Sequence, residues 1–220
     1  PSATITGNAT VCINSGTSPV IFTATDGLAP YTFSYTIDNG TGPVAQPPIN
    51  SIGNSITIPV PTTTAGTFIY TLTNIKNQNS TLCTQAITGQ SATVTVVANT
   101  TVTLKSAVAT ASQSVCVNTP ITDIIYSIGG GGTNATVTGL PTGVTGIYNA
   151  GVFTISGTPT NFNTTAQTFT YTVNATGACL PISVTGSITV NPDATITLTS
   201  LPATTAQELC KNTAITNITY

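Results

Sequence analysis

The sequence predicts an all-β chain of tandem β-sandwiches. Three observations lead there. Apolar residues fall in short segments that alternate with Thr, Ser and Asn, and no stretch of about twelve residues carries a 3.6-residue period. Turn signals are dense: Asp26-Gly27, Asp38-Asn39-Gly40, Gly53-Asn54, Ala65-Gly66, the glycine run at 129–132, and Asn149-Ala150-Gly151. The chain also repeats itself. TVTLKSAVATASQSVCVNTPITDIIY, residues 101–126, returns without a gap as TITLTSLPATTAQELCKNTAITNITY, residues 195–220, an offset of 94.

Taken in order, the expected strands of the first unit are 2–6, 19–25, 31–37, 55–60, 67–75 and 92–97. Those of the second are 101–104, 121–128, 135–137, 152–156, 168–173 and 187–190. The stretch GLPTGVTGIYNAGVFTISG, residues 139–157, shows the construction. Leu140-Pro141-Thr142-Gly143 turns into a short segment, and Asn149-Ala150-Gly151 turns again. Val152-Phe153-Thr154-Ile155-Ser156 then alternates apolar and polar until Gly157 and Pro159 close it. The first unit is a looser relative of the second. Ala3-Thr4-Ile5-Thr6 parallels residues 101–104, Val11-Cys12-Ile13-Asn14 parallels residues 115–118, and TFIYTLTN at 67–74 parallels TFTYTVNA at 168–175. This places domains at 1–98 and 99–191, with 192–220 as the first strands of a third, incomplete repeat. The linkers Ala98-Asn99-Thr100 and Asn191-Pro192-Asp193 are too short to leave much freedom, so an elongated rod is expected.

Composition excludes several functions. Only 4% of residues are charged, against about 25% in ordinary domains. Three lysines cannot neutralise a run of phosphates or hold an anionic membrane surface, so no nucleic acid is expected. No apolar run approaches about 18 residues, so no membrane insertion is expected. With no His, no serine has a base to activate it. The acids Asp26, Asp38, Asp123, Asp193 and Glu208 read as turn, linker or surface residues. Asn191, Asp193 and Glu208 could offer oxygens to calcium at the second junction, but the first has Val97 and Asn99 there, so no metal is expected. The glycines at 129–132 lack the Lys-Ser/Thr of a phosphate loop and read as a flexible hairpin. Tyr31, Phe33, Tyr35, Phe169 and Tyr171 read as the buried faces of strands, with a sugar-stacking platform as the alternative. Lys76, Lys105 and Lys211 are not kept between repeats, which argues against a systematic isopeptide crosslink. The sequons at Asn8, Asn134, Asn163 and Asn174 arise readily in a Thr-rich chain. No catalytic residue and no cofactor is expected.

Five cysteines among so few charges suggest an oxidising compartment. Each complete unit has one Cys about ten residues after its first strand and one shortly after its TFxYT strand. Four cysteines allow three pairings. The repeat favours the within-unit one, Cys12–Cys83 and Cys116–Cys179. Metal binding lacks the CxxC spacing and any His. Loops of about 60–70 residues would contribute roughly 4 kcal/mol each on the chain-entropy view. The mate of Cys210 is expected in the missing part of the third repeat.

GLPTGVTGIYNAGVFTISGTPT at 139–160 resembles a signature of bacterial Ig-like and cadherin-like modules. PVIFTATDGLAPYTFSYTIDNG at 19–40 resembles the PKD-like repeats of very large Bacteroidota surface proteins. The openings at 116–126 and 210–220 and the junction ITVNPDATITL at 188–198 are similar to the same group, which includes type IX-secreted gliding adhesins of the SprB type. The resemblance covers essentially the whole chain. It implies Ig-like β-sandwiches in a non-enzymatic, extracellular, cell-surface filament for attachment or gliding. The cadherin calcium motifs are absent, so calcium dependence is not implied. Expected partners are other repeats of the same long chain, with surface glycans or neighbouring filament subunits as further candidates. A fibre subunit joined by strand exchange and a spacer or carbohydrate-binding module of a secreted enzyme are the alternatives. No signal peptide precedes Pro1; it is expected to have been removed or to lie upstream in a longer secreted chain.

Overall fold

The computed structural model describes residues 1–78, 83–160 and 164–220. The first sandwich contains β1 (Ser2–Thr6), β2 (Ala9–Cys12), β3 (Thr17–Thr25), β4 (Tyr31–Asp38), β5 (Pro43–Ala45), β6 (Ile49–Asn50), β7 (Ser55–Pro61), β8 (Gly66–Asn77), β9 (Thr84–Ala86) and β10 (Ser91–Val97). One sheet runs β1-β3-β7 and the other β2-β10-β8-β4-β5, with β6 on β4 and β9 on β8. The second contains β11 (Thr101–Leu104), β12 (Ser112–Cys116), β13 (Ile124–Gly129), β14 (Gly132–Thr138), β15 (Val144–Asn149), β16 (Val152–Gly157), β17 (Gln167–Gly177) and β18 (Ile182–Asn191). Its sheets run β11-β13-β16-β15 and β12-β18-β17-β14. Lettered as an immunoglobulin fold this is A-B-E-D facing G-F-C, with the first strand split so that its second half joins the other sheet. The chain is all-β, with Ig-like sandwiches.

Alternation explains the strands. In β3, Val20, Phe22 and Ala24 point inward between outward Pro19, Ile21 and Thr23. In β17, Tyr171, Val173 and Ala175 are buried while the intervening Thr172 and Asn174 lie nearer solvent. Thr serves both roles that such a strand needs, being β-branched and hydroxylated. Each fully buried Phe, Ile or Val contributes roughly 1.5–3 kcal/mol. Phe22 and Phe33 pack at 5.7 Å between ring centroids, and Phe22 meets Tyr35 edge-on at 5.2 Å. The second core gathers Ile124, Phe153, Ile155, Tyr171 and Ile188.

The split of the first strand has its own polar lock. Between β11 and β12 the chain makes a 3-10 turn, Val108–Ala111. The Thr110 hydroxyl donates to Ala107 O and pairs with Ser106 Oγ, which accepts from Ile125 N. The Gln113 amide donates to Thr110 O and Thr122 O and accepts from Thr122 N. The same bonds recur one repeat later. Thr204, Ser200, Gln207 and Thr216 replace Thr110, Ser106, Gln113 and Thr122, around a second 3-10 turn, Pro202–Thr205. Residues 192–220 therefore hold the local shape of a sandwich opening, although they form no strand. Their apolar residues are open: Ile215, Ile218 and Tyr220 are 65%, 43% and 64% exposed, against 6%, 0% and 3% for the equivalent Ile121, Ile124 and Tyr126.

The expected strand at 121–128 starts only at Ile124, because Ile121 N bonds Gly157 O across a loop. β2, β12, β15 and the short β5, β6 and β9 were not among the expected strands.

Candidate functional site

The candidate site is the junction between the sandwiches. β10 ends at Val97 and β11 begins at Thr101, so Ala98, Asn99 and Thr100 alone connect them. The turn between β13 and β14 folds over this linker. Gly131 N donates to Asn99 O at 3.3 Å. A Cβ on Gly130, which has φ +62°, would lie 1.9 Å from Asn99 O, and one on Gly131 would lie 2.3 Å from Ala98 O. The glycine run is thus a close-packed cap on the linker, where a flexible hairpin was expected. Two polar atoms here, Asn99 Oδ1 and Thr100 Oγ1, are buried without a protein hydrogen-bond partner.

The disulfide lies at this junction. Cys12 of the first sandwich bonds Cys179 of the second, 167 residues apart, with a Cα–Cα distance of 5.6 Å. This corrects the expected pairs Cys12–Cys83 and Cys116–Cys179, and the strand register gives the reason. Cys12 pairs with Val97 at the end of β10, beside Val96 and its partner Gly66. Thr84, next to Cys83, pairs with Lys76, ten residues further along β8. That is about 30 Å away. In the second sandwich Cys116 pairs with Asn191, the last residue of β18, while Cys179 precedes Ile182, its first. The ten residues of β18 again put about 30 Å between them. A disulfide needs Cα atoms within about 7 Å. The two cysteines of one unit stand at opposite ends of the sandwich, so a cysteine can meet only the facing end of its neighbour. Cys83, Cys116 and Cys210 are exposed and lie outside the bridge. What the sequence concealed is that Cys12 and Cys116 end strands that pair in parallel with the last strand of their unit.

The other candidates are dispersed. Tyr31, Phe33 and Tyr171 are buried, and a buried ring cannot stack on a sugar. Asn191 donates its amide to Ser114 Oγ, while Asp193 and Glu208 are exposed. Among the described residues no three His, Cys, Asp or Glu side chains group to hold a metal. Asp38 accepts from Gly40 N and Gly42 N within its own turn. Asn8, Asn134 and Asn174 accept from Thr93 N, Ala135 N and Ser183 Oγ; Asn163 lies outside the described residues. Lys76, Lys105 and Lys211 are exposed. Among the described residues no helix is long and apolar enough to cross a membrane. The Tyr171 hydroxyl donates to Ala111 O and meets Tyr126 Oη at 3.0 Å. Burial, followed by that Tyr126 hydrogen bond, raises its pKa well above the usual 10.0.

No protein-family model matches the sequence, and no curated protein does. Among solved structures the chain is similar to titin Ig tandem domains, with 9% identity, a TM-score of 0.36, and coverage of 87% of this chain and 97% of that one. It is also similar to Drosophila N-cadherin EC1-4, with 10% identity, a TM-score of 0.46, and coverage of 88% and 50%. Mouse cadherin-23 EC22-24 gives 9%, 0.45, 87% and 66%.

Proposed function

We propose that this chain is a non-enzymatic segment of an extracellular stalk, with sandwiches set end to end and covalently clipped at their junctions. The observation that carries the reading is the Cys12–Cys179 disulfide. The bridge belongs to neither core cluster and fixes the mutual placement of the two sandwiches. It also carries tension. A pull on the two ends of the chain runs through β1 and β2, crosses the bridge, and leaves along β18, bypassing the residues between. The three-residue linker and its glycine cap support the same reading. The disulfide supports an extracellular, oxidising location. The modules of this reading are 1–98, 99–191 and a third opened by 192–220. The resemblance of the sequence to repeats of Bacteroidota gliding adhesins supports a finer proposal, attachment or gliding at a cell surface, with other repeats of the same chain as its nearest partners.

Small-angle scattering tests the arrangement. An elongated particle that stays elongated with the disulfide intact is the expected result. A compact, folded-over particle contradicts the stalk.

A second reading has its own observation. Ile215, Ile218 and Tyr220 are exposed, and strands from another molecule could cover them. This fibre reading expects concentration-dependent polymers that survive reductant and fall apart in denaturant. A monomer at every concentration contradicts it.

A further inference from the structure

We propose that Cys116 is one half of a second cross-junction disulfide, closed by a cysteine of the next sandwich of the same chain, the one that residues 195–220 open. The proposal deepens the stalk reading and rests on it. Cys116 stands in the second sandwich where Cys12 stands in the first. Each ends the strand that pairs in parallel with the last strand of its unit, Cys12 opposite Val97 and Cys116 opposite Asn191. The following N–H returns to that residue's carbonyl, Ile13 to Val97 O at 2.8 Å and Val117 to Asn191 O at 2.9 Å. The chain then turns on an Asn in the left-handed region, Asn14 at φ 61° and Asn118 at φ 60°. Ser15 N and Thr119 N close the turn on the cysteine carbonyls at 3.2 and 3.1 Å.

The independent observation is that one copy of this site is already occupied. Cys12 is bonded to the β17–β18 turn of the sandwich that follows it. Cys116 is exposed, at the end of the second sandwich that leads into residues 192–220. Those residues rebuild the opening of a sandwich, down to its 3-10 turn and Gln207 lock. A following sandwich built on the same repeat would carry its own β17–β18 turn, with the counterpart of Cys179 placed by the offset of 94 residues. Cys210 stands on the same turn once more, with Asn212 at φ 70° and Thr213 N on Cys210 O at 3.1 Å, as the outward half of a later bridge.

Closing the bond removes one proton and one electron from each thiol. Both electrons and both protons pass to the disulfide of a thiol–disulfide oxidant, which leaves as a dithiol.

The test is a disulfide map of the natural chain, alkylated first and digested without reduction. Residues 1–220 give trypsin only Lys76, Lys105 and Lys211, so a less selective protease is required. The expected result is a Cys116 peptide linked to a cysteine peptide from outside residues 1–220 that follows a TFxYT-type strand. Cys116 recovered as an alkylated thiol, or linked to Cys83, Cys210 or a second copy, overturns the proposal. The same digest reads the stalk separately. A Cys12–Cys179 peptide beside an alkylated Cys116 overturns this inference alone; loss of the Cys12–Cys179 peptide overturns the stalk as well.

Discussion

The Tyr171 hydroxyl joins three pieces of the second sandwich: its own β17, the Tyr126 hydroxyl on β13, and Ala111 O at the kink before β12. Tyr171→Phe strands the Ala111 carbonyl and should cost about 1–2 kcal/mol in urea unfolding. The hydroxyl also gives the protein an alkaline limit. Its folded pKa lies above 10.0 and its unfolded pKa near it. The neutral form's contribution is therefore full below pH 10 and is lost as pH rises through the folded value. Burial raises Tyr35 and Tyr70 in the same direction. Stability should hold to about pH 9.5 and fall above 10, and the fall should be shallower in Tyr171→Phe; an equal fall in both contradicts the assignment. Thr100 offers the opposite case. Its buried hydroxyl has no protein partner, so Thr100→Val should stabilise by about 1 kcal/mol, read as a higher Tm.

At the scale of elements, the lock around Gln113 explains how one edge of the sandwich passes from sheet to sheet. Gln113→Ala removes three hydrogen bonds at the kink. It should destabilise the second sandwich by about 1–3 kcal/mol while leaving the first unchanged, measured by amide exchange on β11 and β12. Most strands legible in the sequence have a buried face, although β11, also expected, has no fully buried residue and β15, not expected, buries Val144. β1, β3, β4, β7, β8, β10, β16 and β17 alternate apolar with polar residues, because one side of each strand meets a core. β12 reads SQSVC, with no fully buried residue, and β2 reads ATVC, also without one. These strands lie at the edge of their sheets and leave no period-two signal. Missing them hid their parallel pairing with the last strand, and with it the end of the sandwich at which Cys12 and Cys116 sit. The within-unit disulfides followed from that gap. The repeat itself was plain because side chains such as Gln113 and Gln207 do the same local work in both copies.

For the whole molecule, the proposed stalk makes the bridge decide which residues bear load. Most strands of each core lie inside the loop closed by Cys12 and Cys179, and tension reaches those strands only once that bond opens, whereas β1 and β18, which carry Ala3, Ile5, Ile188 and Val190 into the cores, stand in the load path. Gly131→Ala should disturb the same junction from the other side, through the contact with Ala98 O. Faster amide exchange around residues 97–100, with both cores intact, is the expected result. The most direct test is single-molecule extension of residues 1–220 held at their two ends, with and without reductant. The bridge hides 167 residues of sequence, so reduction should release a further contour of about 600 Å, at roughly 3.6 Å per residue. Two smaller releases of about 260 and about 230 Å would instead signal bridges within each unit. No change on reduction would mean that the junction carries no bridge, and the stalk account would lose its foundation.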